Sequence, residues 1–573
     1  MKKIIVLFNC LIALSFLNGQ SSFSIVGPGK AVNPYSYTVV KRAEYKQAAV
    51  SSAHPLASMV GAEVMKRGGN AFDAAIATQL VLAVVYPNAG NIGGGGFLLA
   101  RKTNGELIGI DYREAAPEKA NRDMYLDKNG NPQMNLSLAG HLASGIPGTI
   151  AGLFATLTYA KLSFEKLIQP AIDIASNGYV LTEKEAASLN SVKESITKNS
   201  TEPTVLVNST KWKVGDTLVQ KDLAATLKRI QKDGAQGFYS GKTAELIVAE
   251  MQRGNGIITL NDLKNYTAKL RNPLSFDYKG HEIISFAPPS SGGLLLAQMF
   301  KMIEKYPMTK FGFQSTKSVQ LMIEAERRAY ADRAEFMGDP DFFKVPVKTL
   351  MSDAYINQRM SDYNPEKAGV SVNVKAGIIK ESEQTTHLSV VDPAGNMVSV
   401  TTTLNNGYGN RTVVGGAGFL LNNEMDDFSV KPGVPNMYGA IGGEANSIQP
   451  GKRMLSSMTP TLVMKDKKPY IVIGTPGGTT IPTSVFQAIV NVIDFNMNVG
   501  DAIDVPKFHH QWLPDEVMVE PDFNAITKEQ LQKMGYKITV RGAIGRTEGI
   551  RFLPNKRREV AADKRGDDSV AGF

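Results

Sequence analysis

One stretch of the chain, residues 385–409, restricts the fold more than any other part of the sequence. It reads TTHLSVVDPAGNMVSVTTTLNNGYG, so that two segments rich in Thr and Val flank the turn-forming residues 392–396. Segments with period-two alternation on either side of such a turn are typical of a β-hairpin. The sequence therefore predicts two paired strands here.

The register of this hairpin brings two hydroxyl groups together. If the turn centres on Ala394, Val391 faces Met397, and equal steps outward set Thr385 opposite Thr403. Directly opposed residues have Cβ atoms about 5 Å apart on one face of a sheet. We therefore expect the side chains of Thr385 and Thr403 to be neighbours.

Thr385 could act as a nucleophile if it became the first residue of a chain. A threonine hydroxyl needs an adjacent base, and a terminal α-amino group, with a reference pKa of roughly 7.7 to 8.0, can accept its proton. The hairpin pattern alone does not show that Thr385 is a terminus, because an ordinary structural hairpin has the same pattern.

The amino terminus predicts export. Lys2-Lys3 precede an apolar run from Ile4 to Leu17, which polar and small residues follow, and this order is typical of a secretory signal. The run is too short for a lasting bilayer anchor, although an uncleaved anchor helix is the alternative. We expect residues 1–20 to be removed and the mature protein to be periplasmic or secreted, with no stable membrane anchor.

Cysteine usage and charge exclude several classes of protein. The one cysteine, Cys10, lies inside the signal, and the formal net charge is +9. A mature chain without cysteine fits an exported bacterial protein and excludes thiol nucleophiles and thiolate metal sites. No long basic run with interleaved aromatic residues occurs, so we interpret the charge as a solvated face and expect no nucleic-acid partner.

The sequence lacks the common motifs of metal-dependent and serine hydrolases, so we expect neither a metal site nor a cofactor. The six histidines form no HExxH motif, the adjacent His509-His510 would point apart, and no GxSxG elbow occurs. The segment Asp127–Asn131 resembles a calcium loop for a few residues, but Leu138 occupies the twelfth place. That segment is predicted to be a polar turn.

Two helices and a glycine run lie near the start of the mature chain. Leu56–Arg67 has helical spacing, and Asn70 is a predicted N-cap, with Asp73 three residues later and an apolar run to Val85. In NAGNIGGGGF (88–97) a helix precedes the glycines and a strand follows, the reverse of a phosphate-binding loop. These glycines are expected to allow close backbone packing between layers.

The hairpin sequence resembles the signature of the gamma-glutamyltransferase family. The matching positions are Thr385, Thr386, His387, Ser389, Gly395, Asn396, Val398, Thr401, Thr403, Leu404, Asn405, Tyr408 and Gly409. Family-like strings elsewhere are GGNAFDAAIA from Gly68, GGGGF ending at Phe97, DYREAAP from Asp111, FAPPSSGG from Phe286, LLNNEMDDFS from Leu420, LSSMTPT from Leu455, GTPGGTT from Gly474, FHHQWLPD from Phe508 and RGDDSVAGF at the end. The resemblance therefore covers most of the mature chain.

This resemblance implies an α+β fold, the four-layer αββα sandwich of the N-terminal-nucleophile hydrolases. It also implies self-cleavage of the Gln384–Thr385 bond into a large subunit (21–384) and a small catalytic subunit (385–573), which stay together as a heterodimer. No linker rich in Pro, Gly and Ser marks a domain boundary, so we expect one intertwined domain.

The resemblance assigns catalytic roles to four residues. Thr385 is the implied nucleophile, and Thr403 resembles the threonine that orients it. Gly477 and Gly478 resemble the pair whose backbone N–H groups form the oxyanion hole.

Substrate-binding roles follow from the same resemblance. Arg113, Ser456 and Ser457 resemble the clamp on the α-carboxylate, and Asn405, Glu424 and Asp427 resemble the acceptors for the α-ammonium group. Taken singly, an arginine that ends a strand is usually a surface ion pair, and a Ser-Ser or Asp-Asp pair is usually a cap or a turn.

The loop from Pro432 to Gly443 resembles the lid of some bacterial members of the family, with Tyr438 as its latch. By itself it is equally well explained as a loop rich in Pro and Gly. Two departures are visible, because Glu424 stands where some bacterial relatives have glutamine and the sequence ADKRGDDS lacks a proline before its arginine.

The implied activity is cleavage of the γ-glutamyl amide of glutathione and related compounds, with transfer of the glutamyl group to water or to amino acid and peptide acceptors. A cephalosporin or glutaryl acylase of the same fold is the nearest alternative, and a catalytically dead binding protein of the envelope is another. Retention of Arg113, Asp427, Ser456 and Ser457 favours the first interpretation over the acylase.

Overall fold

The computed structural model describes residues 30–33, 38–374, 385–431 and 443–573. The predicted signal, Gln384, and the predicted lid loop with Tyr438, apart from its last residue Gly443, lie outside these ranges.

Two antiparallel sheets of seven strands form the centre of the molecule. Sheet A contains, from edge to edge, β19 (Ser569–Gly572), β2 (Ala49–Ser52), β10 (Thr385–Val391), β11 (Met397–Thr403), β3 (Gly95–Arg101), β4 (Leu107–Tyr112) and β7 (Lys269–Arg271). Sheet B contains β1 (Arg42–Tyr45), β18 (Arg558–Ala562), β17 (Glu548–Phe552), β13 (Lys468–Gly474), β12 (Thr461–Lys465), β9 (His281–Ser285) and β8 (Leu274–Tyr278). Two small sheets pair β5 (Tyr179–Val180) with β6 (Thr217–Leu218), and β14 (Phe508–His509) with β15 (Val517–Val519) and β16 (Ile538–Val540).

Helices cover the outer face of each sheet. Those over sheet A are α1 (Pro55–Lys66), α2 (Ala71–Val85), α4 (Thr149–Leu157), α5 (Phe164–Asn177), α6 (Glu183–Asn199), α7 (Lys221–Asp233), α8 (Gln236–Tyr239), α9 (Gly241–Arg253) and α10 (Leu260–Asn265), and α3 (Met134–Leu138) packs in a smaller cluster nearby. Those over sheet B are α11 (Gly292–Ile303), α12 (Met308–Phe311), α13 (Thr316–Phe336), α14 (Val347–Leu350), α15 (Asp353–Arg359), α16 (Thr480–Ile493), α17 (Val499–Asp504) and α18 (Ala525–Lys533).

Side chains of sheet A alternate between two cores. Leu388 and Val390 of β10 pack against the helices, whereas Val391 packs in the core between the sheets. In β3, Phe97 and Leu99 join that same inner core. Alternation of this kind follows from the two-residue period of a strand, and it stacks helix, sheet, sheet and helix in the predicted αββα order.

Local signals in the sequence predicted the start of the fold correctly. Asn70 and Asp73 form a complete capping box at the start of α2, in which each side chain accepts a hydrogen bond from the other residue's backbone N–H. The helix that this box begins is buried along its whole length. A Cβ atom added to Gly94 would lie 2.0 Å from the Thr403 carbonyl oxygen, so the glycine run does allow close backbone packing.

Both sheets combine strands from the two sides of position 385. In sheet A, β2 lies between β19 and β10, and β11 pairs with β3. In sheet B, β1 pairs with β18, and β9 pairs with β12. The parts of the chain before and after Thr385 therefore share both sheets and do not form separate domains.

Candidate active site

The hairpin of β10 and β11 has the predicted register. Val391 pairs with Met397 at the turn, and Thr385 pairs with Thr403 at the open end. Thr385 lies on the same strand face as Val391, which packs between the sheets. The Thr385 side chain therefore faces sheet B. The residue is buried there, with 5% of its surface exposed.

His387 is the histidine nearest to Thr385 along this face, and its ring is already engaged. Its Nδ1 lies 2.8 Å from the Thr401 hydroxyl and its Nε2 lies 3.1 Å from the Ser389 hydroxyl. Burial lowers the pKa of His387 to about 3, so the ring is neutral near pH 7. Because both ring nitrogens have other partners, His387 is a poor candidate for the base that activates Thr385.

Gly477 and Gly478 form the turn between β13 and α16. Their φ angles are +136° and +56°, in the region that favours glycine. Their carbonyl oxygens accept hydrogen bonds from the first residues of α16, whereas no hydrogen bond donated by either N–H group is found in the described part of the chain. A Cβ added to Gly474, three residues earlier, would touch the His387 ring, so this turn follows a point of direct contact with β10.

The segment after β11 connects the Thr403 hydroxyl to the next part of the site. Thr403 Oγ1 accepts a hydrogen bond of 2.7 Å from the Asn405 N–H, and Asn405 has a φ of +71°. The Asn405 amide donates to the Asn423 carbonyl oxygen at 3.0 Å. Asn405 therefore joins the end of the hairpin to the short helical turn Glu424–Asp427.

Arg113 directly follows β4 and is 1% exposed. Its guanidinium forms ion pairs with Glu424 and Asp427, and it donates at 3.3 Å to the carbonyl oxygens of Met454 and Leu455. The residue predicted to bind an α-carboxylate is therefore paired with two residues predicted to bind an α-ammonium group. A zwitterionic ligand could exchange with these pairs, because it offers an anion to Arg113 and a cation to the two acids.

The two serines lie in the segment directly after the carbonyl groups that Arg113 contacts. The Ser456 hydroxyl accepts a hydrogen bond of 3.1 Å from the Met458 N–H. The Ser457 hydroxyl accepts one of 3.0 Å from Arg333. Within the described residues, neither hydroxyl is hydrogen-bonded to Arg113, so the structure brings these groups into adjacent positions without a direct bond between them.

Glu114 is a residue of this site that the sequence reasoning missed. Its carboxylate is fully buried, its Oε2 lies 3.6 Å from Arg113 Nη1, and neither of its oxygens has a hydrogen-bond partner among the described residues. Burial raises the pKa of Glu114 to about 7, although Arg113 opposes that change. The signal in the sequence was an acid directly after Arg113 and before two alanines.

We expect Glu114→Gln to change how stability depends on pH. The raised pKa means that the folded protein binds this proton more tightly than the unfolded chain, so the wild type should lose stability as pH rises from about 4.5 to 7. Each unit by which folding raises a pKa corresponds to a loss of about 1.4 kcal/mol in the free energy of unfolding across that pH range. Melting temperatures of both proteins from pH 4.5 to 8 should show that the variant becomes more stable relative to the wild type as pH rises. Melting temperatures that change in parallel with pH would contradict this assignment.

Three other sequence features have structural roles away from this site. The Asp127 carboxylate accepts hydrogen bonds from the Asn129 and Asn131 N–H groups in the predicted polar turn. His509 contacts Thr483, and His510 contacts Asp515, so these two rings do point to different partners.

Neither a metal cluster nor a membrane span is found in the ranges that the structure describes. Across these residues, no group of three or more His, Cys, Asp or Glu side chains could hold a metal ion. Likewise, no described helix is both long and apolar enough to cross a bilayer.

Comparisons with known proteins identify the family of this chain. Residues 57–573 match the family model described as gamma-glutamyltranspeptidase. The glutathione hydrolase proenzyme of Escherichia coli is 45% identical over 572 residues, which cover 98% of each chain. A cephalosporin acylase from Bacillus halodurans has a similar structure, with a TM-score of 0.82 and 26% identity over 94% of this chain and 98% of that chain. The gamma-glutamyltranspeptidase of Helicobacter pylori matches with a TM-score of 0.55 and 44% identity over 57% of this chain and 94% of that chain. The chain belongs to the gamma-glutamyltranspeptidase family.

Proposed function

We propose that this chain is a proenzyme that cleaves itself before Thr385 and then uses Thr385 to cleave γ-glutamyl amides such as glutathione. The glutamyl group passes to water or to the amine of an amino acid or peptide. One observation carries the proposal: the Thr385 and Thr403 side chains are paired across a hairpin that faces the sheet from which the Gly477–Gly478 turn emerges.

In the proposed maturation, the Thr385 hydroxyl attacks the carbonyl carbon of Gln384. The hydroxyl proton passes to the amide nitrogen as the C–O bond forms and the C–N bond breaks, so an ester replaces the amide and Thr385 gains a free amine. Water then hydrolyses the ester, which leaves a carboxylate on Gln384 and restores the hydroxyl. This sequence creates the base that the hydroxyl requires.

In the proposed turnover, the amine of Thr385 accepts the hydroxyl proton while the oxygen attacks the γ-carbonyl carbon of the substrate. The proton passes to the departing amine as the C–N bond breaks, and a glutamyl ester remains on Thr385. Water or an acceptor amine resolves the ester by the same steps in reverse. The N–H groups of Gly477 and Gly478 stabilise the oxyanion, and loss of one such donor typically costs about 3 kcal/mol.

The charged groups near Arg113 favour a glutamyl substrate over a glutaryl one. The guanidinium of Arg113 suits an α-carboxylate because it can bind both oxygens. Asp427 and Glu424 supply anions for an α-ammonium group, which a glutaryl substrate lacks. The cation of Arg113 and the anions of Glu424 and Asp427 therefore support glutathione-type chemistry. The acylase remains the alternative, because a cephalosporin acylase has a similar structure.

The proposal includes export of the protein. Residues 1–20 act as a signal, and the mature heterodimer functions in the periplasm or outside the cell. Neither a metal nor another cofactor takes part in the proposed reaction. The role of Tyr438 as the latch of a lid stays a prediction, because that residue lies outside the described ranges.

We expect the purified protein to give two bands on a denaturing gel, which span residues 21–384 and 385–573. Edman sequencing of the smaller band should begin Thr-Thr-His-Leu-Ser. The same preparation should release glutamate from glutathione, and a dipeptide acceptor should divert part of it into a γ-glutamyl peptide. A single uncut band with full activity would overturn the proposal, because an internal Thr385 has no terminal amine.

A further inference from the structure

The segment Met454–Ser457 lies between two buried arginines from different elements. Arg113, after β4, donates to the carbonyl oxygens of Met454 and Leu455 at 3.3 Å. Arg333, on α13, is fully buried and donates from Nη2 to the Ser457 hydroxyl at 3.0 Å. Arg113 therefore contacts the backbone of this segment, and Arg333 contacts the side chain at its end.

Arg333 also supports the neighbouring serine through a third residue. Its Nε donates to the Ser291 hydroxyl at 2.8 Å. The Ser291 hydroxyl and backbone N–H both donate to the Ser456 carbonyl oxygen, at 2.8 and 2.7 Å. One guanidinium thus fixes the backbone at Ser456 through Ser291 and the side chain of Ser457 directly.

The chemistry of a guanidinium group determines how the Ser457 hydroxyl is oriented. Arginine has five N–H donors and no acceptor, so Ser457 Oγ must be the acceptor in this bond. The single hydrogen of the hydroxyl therefore points away from Arg333. A charged donor also polarises the hydroxyl that accepts from it, which makes that hydroxyl a stronger donor to the next group.

We propose that Arg333 is a positioning residue, which fixes the Ser457 hydroxyl as a hydrogen-bond donor to the α-carboxylate of the γ-glutamyl substrate. This inference rests on the proposed function, in which Ser457 contacts that carboxylate. Arg333 itself does not touch the substrate. Its direct contact with the site is the hydrogen bond to Ser457, whereas its contact with the Ser456 backbone runs through Ser291. A purely structural arginine would instead hold α13 in place without any effect on substrate affinity.

A double-mutant cycle separates these two roles. Arg333→Lys keeps a positive charge but loses the rigid fork, and we expect it to lower kcat/KM for γ-glutamyl-p-nitroanilide by roughly 10-fold, mainly through KM. Ser457→Ala should have an effect of similar size. Because Arg333 contacts Ser457 directly and Ser456 only through Ser291, adding Arg333→Lys to Ser457→Ala should change KM by less than about 2-fold.

Arg328 provides a matched control on the same helix. It is 2% exposed and pairs with Glu324 at 2.5 Å and Asp362 at 2.7 Å, rather than with either serine of the site. Arg328→Lys should lower the melting temperature without changing KM. An equal rise in KM in Arg328→Lys would overturn the inference, since any disturbance of α13 would then explain the result.

The outcomes also separate this inference from the proposed function. If Ser457→Ala raises KM, and Arg333→Lys raises KM by the same factor in the Ser457→Ala background as in the wild type, the inference is wrong and the proposed function stands. If Ser457→Ala leaves KM unchanged, the proposed role of Ser457 is wrong and the inference falls with it. Should Arg333→Lys fail to fold, Arg333→Gln, which keeps an N–H donor without the charge, takes its place, and its rise in KM should likewise vanish in the Ser457→Ala background.

Discussion

Thr385→Ala is expected to remain a single uncut chain and to lose its γ-glutamyl activity, by roughly 10⁴-fold or more. Both losses have one cause, because the same hydroxyl attacks Gln384 in maturation and the substrate in turnover. Thr385→Ser retains a hydroxyl and should process and work, only more slowly. A denaturing gel and a γ-glutamyl-p-nitroanilide assay measure both effects on one preparation.

The next residue offers a control for this experiment. Thr386 pairs with Thr402 and points to the opposite face of β10, and its hydroxyl has no hydrogen-bond partner in the described part of the chain. Thr386→Val, which keeps the shape of the side chain, should therefore process and turn over substrate normally. Cleavage of Thr385→Ala at the same bond would show that another group is the nucleophile.

Arg113→Ala should lower kcat/KM by roughly 30-fold to several thousand-fold, the range expected when one partner of a buried charge pair is removed. The structure adds a second reason for a large effect, since the variant also leaves Glu424 and Asp427 without their shared cation. Arg113→Lys should recover part of the activity, because an ammonium group cannot bind both carboxylate oxygens. Self-cleavage requires no substrate, so both variants should give two fragments.

Asp427→Asn tests the other end of the substrate. Without the Asp427 anion, the substrate ammonium loses a partner, so the variant should discriminate less between glutamyl and glutaryl amides. The ratio of kcat/KM for these two substrates is the measurement. Asp426→Asn is the matched control, because Asp426 accepts a hydrogen bond of 2.5 Å from Ser137 and does not pair with Arg113. An unchanged ratio in Asp427→Asn would place Asp427 outside the binding site and favour the acylase alternative.

Local rules were sufficient to predict the parts of the site that are close in sequence. The pairing of Thr385 with Thr403 follows from counting outward from a tight turn, because a strand alternates its faces with a period of two. The capping box of α2 follows from Asn70 and Asp73 at the right spacing. The family resemblance supplied the remaining candidate residues, but it gave them roles and no contacts.

The sequence could not show how those candidates contact one another. Arg113 and Glu424 are 311 positions apart, and only the folded sheets bring them together. Their mutual pairing was not predicted, because each had been assigned to a different end of the substrate. Arg333 was missed because its surroundings, EAERRAYADRAEF, have the composition of a solvated helix, whereas α13 is buried along most of its length.

The sharing of both sheets by the two parts of the chain determines what happens to the protein if it unfolds. Refolding of the uncut precursor is a first-order process, since its strands belong to one molecule. After the proposed cleavage, the same strand order requires two molecules to meet and interleave, so recovery from denaturation becomes second order and falls steeply on dilution. The persistence of the mature enzyme is then governed by its rate of unfolding rather than by an equilibrium between native and denatured states.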